Sequence, residues 1–297
     1  MKLNLKKYTA KPARAIFFHS NFPLNTVSRR FKTLVTAFLL AVCLLAVFIA
    51  GLAIPPLAYD ANFSQKNLPP SAAHLFGTDH LGRDMFSRTI KGLSTSIIVG
   101  TAASAISACL ALVLGSAAAL FGKKCDAAVT WLVDVFQSVP HIIFIILISI
   151  AMGKGLFGVL IGVAATHWTS LTRLIRSEIM QLKDQPYINA ARALGKNSFW
   201  IAKKHILPHV LPQFAVGLVL LFPHAVLHEA AITFLGFGLS PEQPAVGVIL
   251  SEAMRYLSAG MWHLAFFPGA ALLLTVLSFD ALGENLRALA SPATSQL

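Results

Sequence analysis

The sequence predicts an all-α integral membrane protein with about six transmembrane helices and one long cytoplasmic loop. Of its 297 residues, 56% are hydrophobic and only 12% are charged, whereas soluble domains carry about 25% charged residues. Several apolar runs approach the length of about 20 residues that a helix needs to cross a bilayer. Basic residues cluster between these runs, so the net charge of +12 indicates membrane orientation and not nucleic acid binding.

The first predicted span follows a basic tail. Residues 1–33 contain lysines and arginines but no acidic residue, which predicts a cytoplasmic N-terminal tail attracted to the membrane surface. The apolar run 34–54 predicts a transmembrane helix that ends before Pro55 and Pro56. A cleaved signal peptide is the alternative, but its apolar core is typically about 7–15 residues long, so we favour a retained helix. Residues 55–93 then form a predicted extracytoplasmic loop.

A polar string in this loop, GTDHLGRD at residues 77–84, combines acidic, basic and glycine residues. Asp79 and Asp84 can pair with Arg83, while the two glycines permit tight turns. The favoured interpretation is a structural elbow that leads into the next helix. The alternatives are an acid–base cluster, or a metal site formed by Asp79, His80 and Asp84.

Residues 94–285 hold the transmembrane core. Its predicted spans are 97–121, 128–152, 156–171, 210–239 and 264–279. The first break in these spans falls at Pro140, and the basic loop 173–208 is predicted to be cytoplasmic. Segment 240–263 is predicted to be an outside segment with a short helix, and 286–297 a cytoplasmic tail. Small residues at every fourth position let helices approach closely in lipid. These ladders are Gly100, Ser104, Ala108; Ala111, Gly115, Ala119; and Gly158, Gly162, Thr166.

Ionisable residues inside apolar runs are costly in lipid, so they mark candidates for a translocation pathway that face protein or a wet cavity. The candidates here are Asp134, His141, His224, His228 and Glu229. Imidazole and carboxylate groups suit Ni²⁺ or Zn²⁺, which indicates passage of a cation or a metal chelate. For any one of these residues taken alone, we favour an interhelix hydrogen bond worth about 1 kcal/mol.

Within this set, His224 and His228 lie four residues apart, so on a helix they share a face and could bind one soft cation between them. Glu229 points about 100° away from His228 and does not complete that pair. If the cargo is a peptide instead, Glu229 or Asp134 is expected to meet its terminal amine. These residues by themselves define no certain metal site.

The cytoplasmic loop predicts a short helix, a glycine turn and a second short helix. Pro186 suits the first turn of a helix and Gly195 a left-handed turn at its end. Asn197 or Ser198 can cap the second helix, which Pro208 is predicted to stop.

This helix–turn–helix loop resembles the coupling, or EAA, loop of ABC importer permeases, in which two short helices lie in a cleft of the cytoplasmic ATPase. Five residues match the motif as they stand: Ala190, Ala191, Gly195, Leu207 and Pro208. Asn189 occupies the position of the motif's glutamate. The resemblance implies that these six residues transmit closure of the ATPase to the membrane helices.

Other strings resemble one branch of this family, the importers of dipeptides, oligopeptides and nickel; they are residues 77–84, 229–239 and 280–292. The similarity covers about residues 72–292 and indicates a C-type permease subunit of a binding-protein-dependent transport system. It implies a cargo that is nickel, a metal chelate, or a di- or oligopeptide. His228 before Glu229 is more similar to the nickel-type members.

The resemblance also implies partners: a second homologous permease, two cytoplasmic ATPases and an extracytoplasmic solute-binding protein, in the lipid of a bacterial inner membrane. The sequence contains no GxxxxGK[ST] loop, nucleophile elbow or HExxH motif. We therefore expect no catalytic residue and no cofactor in this chain, with ATP and Mg²⁺ bound by the partner ATPases. Both termini and Cys125 are expected in the cytoplasm, with Asp79 and Glu242 outside.

Two other classes of protein remain as alternatives. A proton-coupled secondary transporter would use Asp134, His228 and Glu229, and would need no long basic loop. An intramembrane enzyme would use His167, His224 and Glu229, but the sequence carries no motif for one.

Overall fold

The computed structural model describes residues 26–290, with side-chain surroundings for residues 31–289. Over this range the backbone forms ten α-helices, short 3₁₀ turns and no β-strand, which confirms the predicted all-α class. Most of the predicted N-terminal tail, residues 1–25, and the end of the predicted C-terminal tail, residues 291–297, lie outside the described residues.

The described range contains five to six candidate membrane spans. The helices are α1 (Thr26–Ala53), α2 (Met85–Leu120), α3 (Lys123–Ser138), α4 (His141–Ala151), α5 (Gly155–Lys183), α6 (Pro186–Ala193), α7 (Ser198–Ile201), α8 (Leu207–Phe234), α9 (Val246–Met254) and α10 (His263–Ala290). Segments long and apolar enough to cross a membrane are Phe31–Ala53, Met85–Leu120, Gly155–Lys183, Ser198–Phe234 and His263–Leu289. The bent pair α3 and α4 passes the same test when its two helices are taken together, which gives up to six spans. The prediction of about six transmembrane helices is confirmed.

The first two spans begin earlier than the sequence analysis placed them. Helix α1 starts at Thr26, inside the predicted tail, and helix α2 starts at Met85, inside the predicted loop 55–93. Asp84 sets the start of α2, because its carboxylate accepts a hydrogen bond of 2.8 Å from the backbone N–H of Ser87. The apolar pattern alone marks only the part of a helix that lies in lipid, so it misses polar first turns.

The predicted span 128–152 is broken into two half-helices. Helices α3 and α4 meet at an angle of 95°, with Val139 and Pro140 between them. Proline has no N–H to donate and its ring clashes with a continuing helix, so the chain turns at this point. Pro140 predicts the interruption but not the size of the bend.

Helix α2 is the central element of the bundle and contacts α1, α5, α8 and α10. Small residues on α2 let the neighbouring helices approach it closely. A Cβ atom on Gly115 would lie 2.9 Å from the Thr172 carbonyl oxygen of α5, which is closer than a side chain tolerates. Ala111 and Ala119, on the same ladder, are buried. The close helix approach that the ladder predicts is therefore confirmed.

Candidate functional site

A cavity of about 790 Å³ opens beside the break at Pro140. The end of α3, the start of α4, and parts of α5 and α8 border it. Because α4 turns away from α3, the two half-helices leave a space that a straight, close-packed span would fill. The polar residues that line the cavity are Gln137, Ser138, His141, Thr166, His167, Thr169, Ser170, His224 and His228. Polar groups around a cavity at a discontinuous helix are typical of a transport site.

Three of these histidines form one cluster, and each comes from a different helix. His141 begins α4, His167 lies in α5 and His228 lies in α8. The ring centroids are 4.6 Å apart for the first and second, 4.8 Å for the first and third, and 5.0 Å for the second and third. His141 Nδ1 lies 3.3 Å from His228 Nε2. A single small ligand can therefore contact all three rings.

Backbone carbonyls hold two of these rings. His167 Nδ1 lies 2.8 Å from the carbonyl oxygen of Val163, and His228 Nδ1 lies 2.8 Å from that of His224. A carbonyl oxygen only accepts, so Nδ1 of each neutral ring carries the proton and Nε2 carries a lone pair. Among the described residues, His167 Nε2 is buried and has no hydrogen-bond partner.

The cluster differs from the predicted pairing of His224 with His228. The His224 side chain is exposed at the cavity, and its backbone carbonyl, not its ring, contacts His228. The third ring is that of His167, which the sequence analysis assigned only to the enzyme alternative. Spacing along the chain does not reveal this cluster, because the three residues come from three helices. The one sequence signal for His167 is an ionisable residue at the end of an apolar run.

Glu229, a predicted pathway candidate, is not among the residues that line the cavity. It is fully buried, and its carboxylate accepts hydrogen bonds from Ser96 Oγ of α2 at 2.6 Å and from Thr233 Oγ1 at 3.1 Å. The bond from Ser96 is an interhelix hydrogen bond, the interpretation favoured for this residue taken alone. Glu229 therefore joins α8 to α2.

Asp134 also lies away from the cavity lining. Its carboxylate pairs with the guanidinium of Arg173 on α5, and the two side chains are 60% and 52% exposed, respectively. The sequence predicts that Asp134 faces protein or a wet cavity, but in the structure it forms an ion pair with Arg173 at the surface. Pairing with an opposite charge is the other way in which an acidic group on a membrane helix is tolerated.

The loop between α5 and α8 has the predicted helix–turn–helix form. Pro186 starts α6, Gly195 has a φ of +77°, and Asn197 caps α7 by accepting a backbone hydrogen bond of 2.8 Å. These three predictions are confirmed. The prediction that Pro208 stops the second helix is wrong, because the turn before it widens into a π-helix at 202–206 and the chain continues through the proline into α8.

The outer surface of this loop has an apolar tip. Leu194 and Phe199 are 79% and 77% exposed, while Ile188 and Ile201 are buried against residues of α2 and α5. Of the six predicted coupling residues, Ala191 is buried. The exposed ones are Asn189, Ala190, Gly195, Leu207 and Pro208. The tip also carries the exposed basic residues Arg192, Lys196, Lys203 and Lys204.

The GTDHLGRD string at residues 77–84 forms an ion network at the N-terminal end of α2. Asp79 Oδ2 accepts hydrogen bonds from Arg83 and Arg88 at 2.6 and 2.9 Å. Both arginines also donate to Glu252 of α9, at 2.8 and 3.0 Å. The predicted pairing of Asp79 with Arg83 is confirmed, whereas Asp84 caps α2. The string is therefore the predicted elbow, and it fastens the loop to α9.

Five to six candidate spans, a polar cavity at a broken helix and a projecting helix–turn–helix loop define a multi-pass membrane permease. The chain belongs to the family described as the inner membrane component of binding-protein-dependent transport systems, which matches residues 111–294. It is an ABC importer permease of the peptide branch. Relatives of this kind are permease components of transporters and not enzymes themselves.

Curated relatives support the branch. The chain is 32% identical to the dipeptide transport system permease protein DppC of Bacillus subtilis, over 76% of this chain and 71% of that protein. It is 33% identical to the oligopeptide permease protein OppC of the same organism, over 76% and 74%. The probable D,D-dipeptide permease protein DdpC of Escherichia coli is 32% identical over 78% and 77%.

A solved structure supports the fold. The MetNI methionine ABC transporter in inward-facing conformations matches with a TM-score of 0.56 and 17% identity, over 70% of this chain and 98% of that one. At this level of identity the similarity concerns the fold alone.

Proposed function

We propose that this chain forms part of the translocation pathway of an ATP-driven importer of di- or oligopeptides. The observation that carries the proposal is a continuous helical connection from the exposed loop to the cavity. Helix α7, the π-helical turn and α8 form one segment, Ser198–Phe234, and His228 of this segment lines the cavity. From Ser198 to His228 the connection measures about 45 Å along the helix. A displacement of the loop therefore moves a wall of the cavity.

The loop tip is the docking surface for a cytoplasmic ATPase. Exposed Leu194 and Phe199 stand among basic residues, and apolar anchors within a charged rim are typical of a protein interface. The chain has no nucleotide-binding loop, so two partner ATPases bind ATP and Mg²⁺. Their closure pulls on Asn189, Ala190, Gly195 and the neighbouring coupling residues, and this rocks the helices between inward- and outward-open arrangements.

The remaining partners complete the pathway. A second homologous permease closes the side of the cavity that α3, α4, α5 and α8 leave open, and an extracytoplasmic solute-binding protein delivers the cargo. The chain lies in a bacterial inner membrane with both termini in the cytoplasm, because the basic loop and the basic tail belong on that side.

A peptide cargo is supported by the named activities of the two Bacillus subtilis relatives. Nickel or a metal chelate is the second candidate, and the observation that favours it is the histidine cluster at the cavity. A proton-coupled secondary transporter is disfavoured, because Asp134 is paired with Arg173 at the surface and Glu229 is buried against α2. Neither residue shares the cavity with His228.

The docking proposal is tested by co-purification. The tagged chain, expressed in its own host, is expected to co-purify with a vanadate-sensitive ATPase. Phe199→Asp is expected to abolish this association, because it places a charge in the apolar contact. Phe63→Asp is the matched control, since Phe63 is also exposed but lies in the loop before α2. Retention of the ATPase by Phe199→Asp would defeat the docking assignment.

The cargo is tested by competition. Uptake of a labelled dipeptide is measured in the presence of excess unlabelled dipeptides or excess nickel chelates. Uptake of labelled nickel with a chelator is measured in the same way. Dipeptide uptake that nickel chelates do not reduce supports the peptide assignment, and nickel uptake without dipeptide uptake replaces it with the second candidate.

A further inference from the structure

We propose that His141, His167 and His228 form a binding site for one divalent transition-metal cation at the wall of the cavity. All three donate ring nitrogens, and the potential ligand atoms lie within 4.8 Å of one another. The site deepens the proposed function and rests on it in one respect, namely that the cavity is the cargo pathway.

The spacing of the nitrogens fits tetrahedral coordination. With metal–nitrogen bonds of about 2.0–2.1 Å, two ligands of a tetrahedral ion are about 3.3 Å apart. His141 Nδ1 and His228 Nε2 already have this separation, 3.3 Å. Because no ligand atom is farther than 4.8 Å from the others, a shift of about 1–2 Å brings the third nitrogen to the same spacing.

The hydrogen bonds around the rings prepare them as ligands. Carbonyl oxygens of Val163 and His224 hold the Nδ1 protons of His167 and His228, which leaves both Nε2 lone pairs free. A backbone carbonyl that fixes the far nitrogen of a ligating histidine is a recurrent feature of metal sites. Within the cluster, His141 Nδ1 can donate to the lone pair of His228, and His167 Nε2 stays buried and unpartnered among the described residues. When a cation binds, the neutral His141 ring carries its proton on Nε2 instead, so that Nδ1 offers a lone pair. A cation satisfies this nitrogen.

The donor set selects the kind of ion. Three neutral imidazoles suit Zn²⁺, Ni²⁺, Cu²⁺ or Co²⁺, whereas Mg²⁺ and Ca²⁺ prefer oxygen ligands. His141 and His228 are only partly buried and line the cavity. A three-ligand site on a cavity wall leaves a coordination position open to the pathway. A cargo with an amine or carboxylate donor can occupy that position.

The test is direct metal binding to the purified full-length transporter complex. The complex is stripped with a chelator, reconstituted in nanodiscs and titrated with Zn²⁺ at about pH 7.5, where imidazole competes well with protons. The expected result is one Zn²⁺ per copy of this chain. The variants His141→Ala, His167→Ala and His228→Ala are each expected to weaken binding at least tenfold. His141→Gln removes the imidazole but keeps a side chain of similar size. It therefore checks that weaker binding in His141→Ala does not come from misfolding.

His224→Ala is the matched control, because it removes an exposed imidazole from the same cavity but keeps the carbonyl that holds His228. Its Zn²⁺ affinity is expected to stay within twofold of the wild type. Absence of stoichiometric Zn²⁺ binding to the wild type, or an equal loss in His224→Ala, would overturn the site. ATP-dependent dipeptide uptake with the chelator present is measured in parallel. Uptake without Zn²⁺ binding rejects only the metal site, and Zn²⁺ binding without ATP-dependent uptake rejects only the proposed function.

Discussion

Replacement of Gly195 by leucine is expected to uncouple transport from ATP hydrolysis while leaving the membrane core folded. Gly195 has a φ of +77°, and an added Cβ atom would meet no atom within 4 Å. The cost is therefore backbone strain alone, about 1–2 kcal/mol for a side-chain-bearing residue in the left-handed region. This strain reduces the population of the turn by about 5- to 30-fold. Gly195→Asn should restore coupling, because asparagine tolerates this conformation.

The assay compares dipeptide uptake with ATP hydrolysis in proteoliposomes that contain the tagged complex. We expect uptake per ATP hydrolysed to fall at least fivefold in Gly195→Leu and to stay within twofold of the wild type in Gly195→Asn. Gly260→Leu is the matched control, since Gly260 has a φ of +82° and equally open surroundings but lies in the turn before α10. Wild-type coupling in Gly195→Leu, or the same loss in Gly260→Leu, would refute the reasoning.

Three further predictions concern other parts of the chain. Arg88→Ala removes the buried cation from buried Asp79 and partly buried Glu252 and should destabilise the fold by about 3 kcal/mol; an unchanged denaturation midpoint would contradict this. Glu229→Gln keeps the oxygen that accepts from α2, so uptake should stay within twofold, and its abolition would favour proton coupling through this residue. With Cys43 and Cys109 replaced by serine, a membrane-impermeant thiol reagent should label Cys125 in inverted vesicles only; labelling in intact cells would reject the topology.

Local signals explain the parts of the fold that the sequence predicts well. The length of an apolar run can be read directly from the sequence, so about six candidate spans follow from composition. Gly195, Asn197 and Pro186 act on the backbone within a few residues, and all three take the predicted conformation. Pro208 does not end the helix, because the wider π-helical turn before it accommodates the proline. Whether such a turn forms depends on how α7 packs.

The candidate site depends on contacts that sequence spacing does not contain. His141, His167 and His228 meet only after the 95° bend at Pro140 brings α4 against α5 and α8. A single sequence indicates pairs three or four residues apart on one helix, and this spacing predicts the pairing of His228 with His224. The sequence marks Glu229 as a pathway candidate, but it does not reveal the hydrogen bond that Glu229 accepts from Ser96 on α2.

The central claim is that ATP hydrolysis by partner subunits drives peptide movement through this chain. The most direct measurement is uptake of a labelled dipeptide by proteoliposomes of the tagged complex, with ATP, with ATP and vanadate, and with a protonophore. The account predicts uptake that requires ATP, stops with vanadate and is unaffected by the protonophore. Uptake that proceeds without ATP and stops with the protonophore would contradict it.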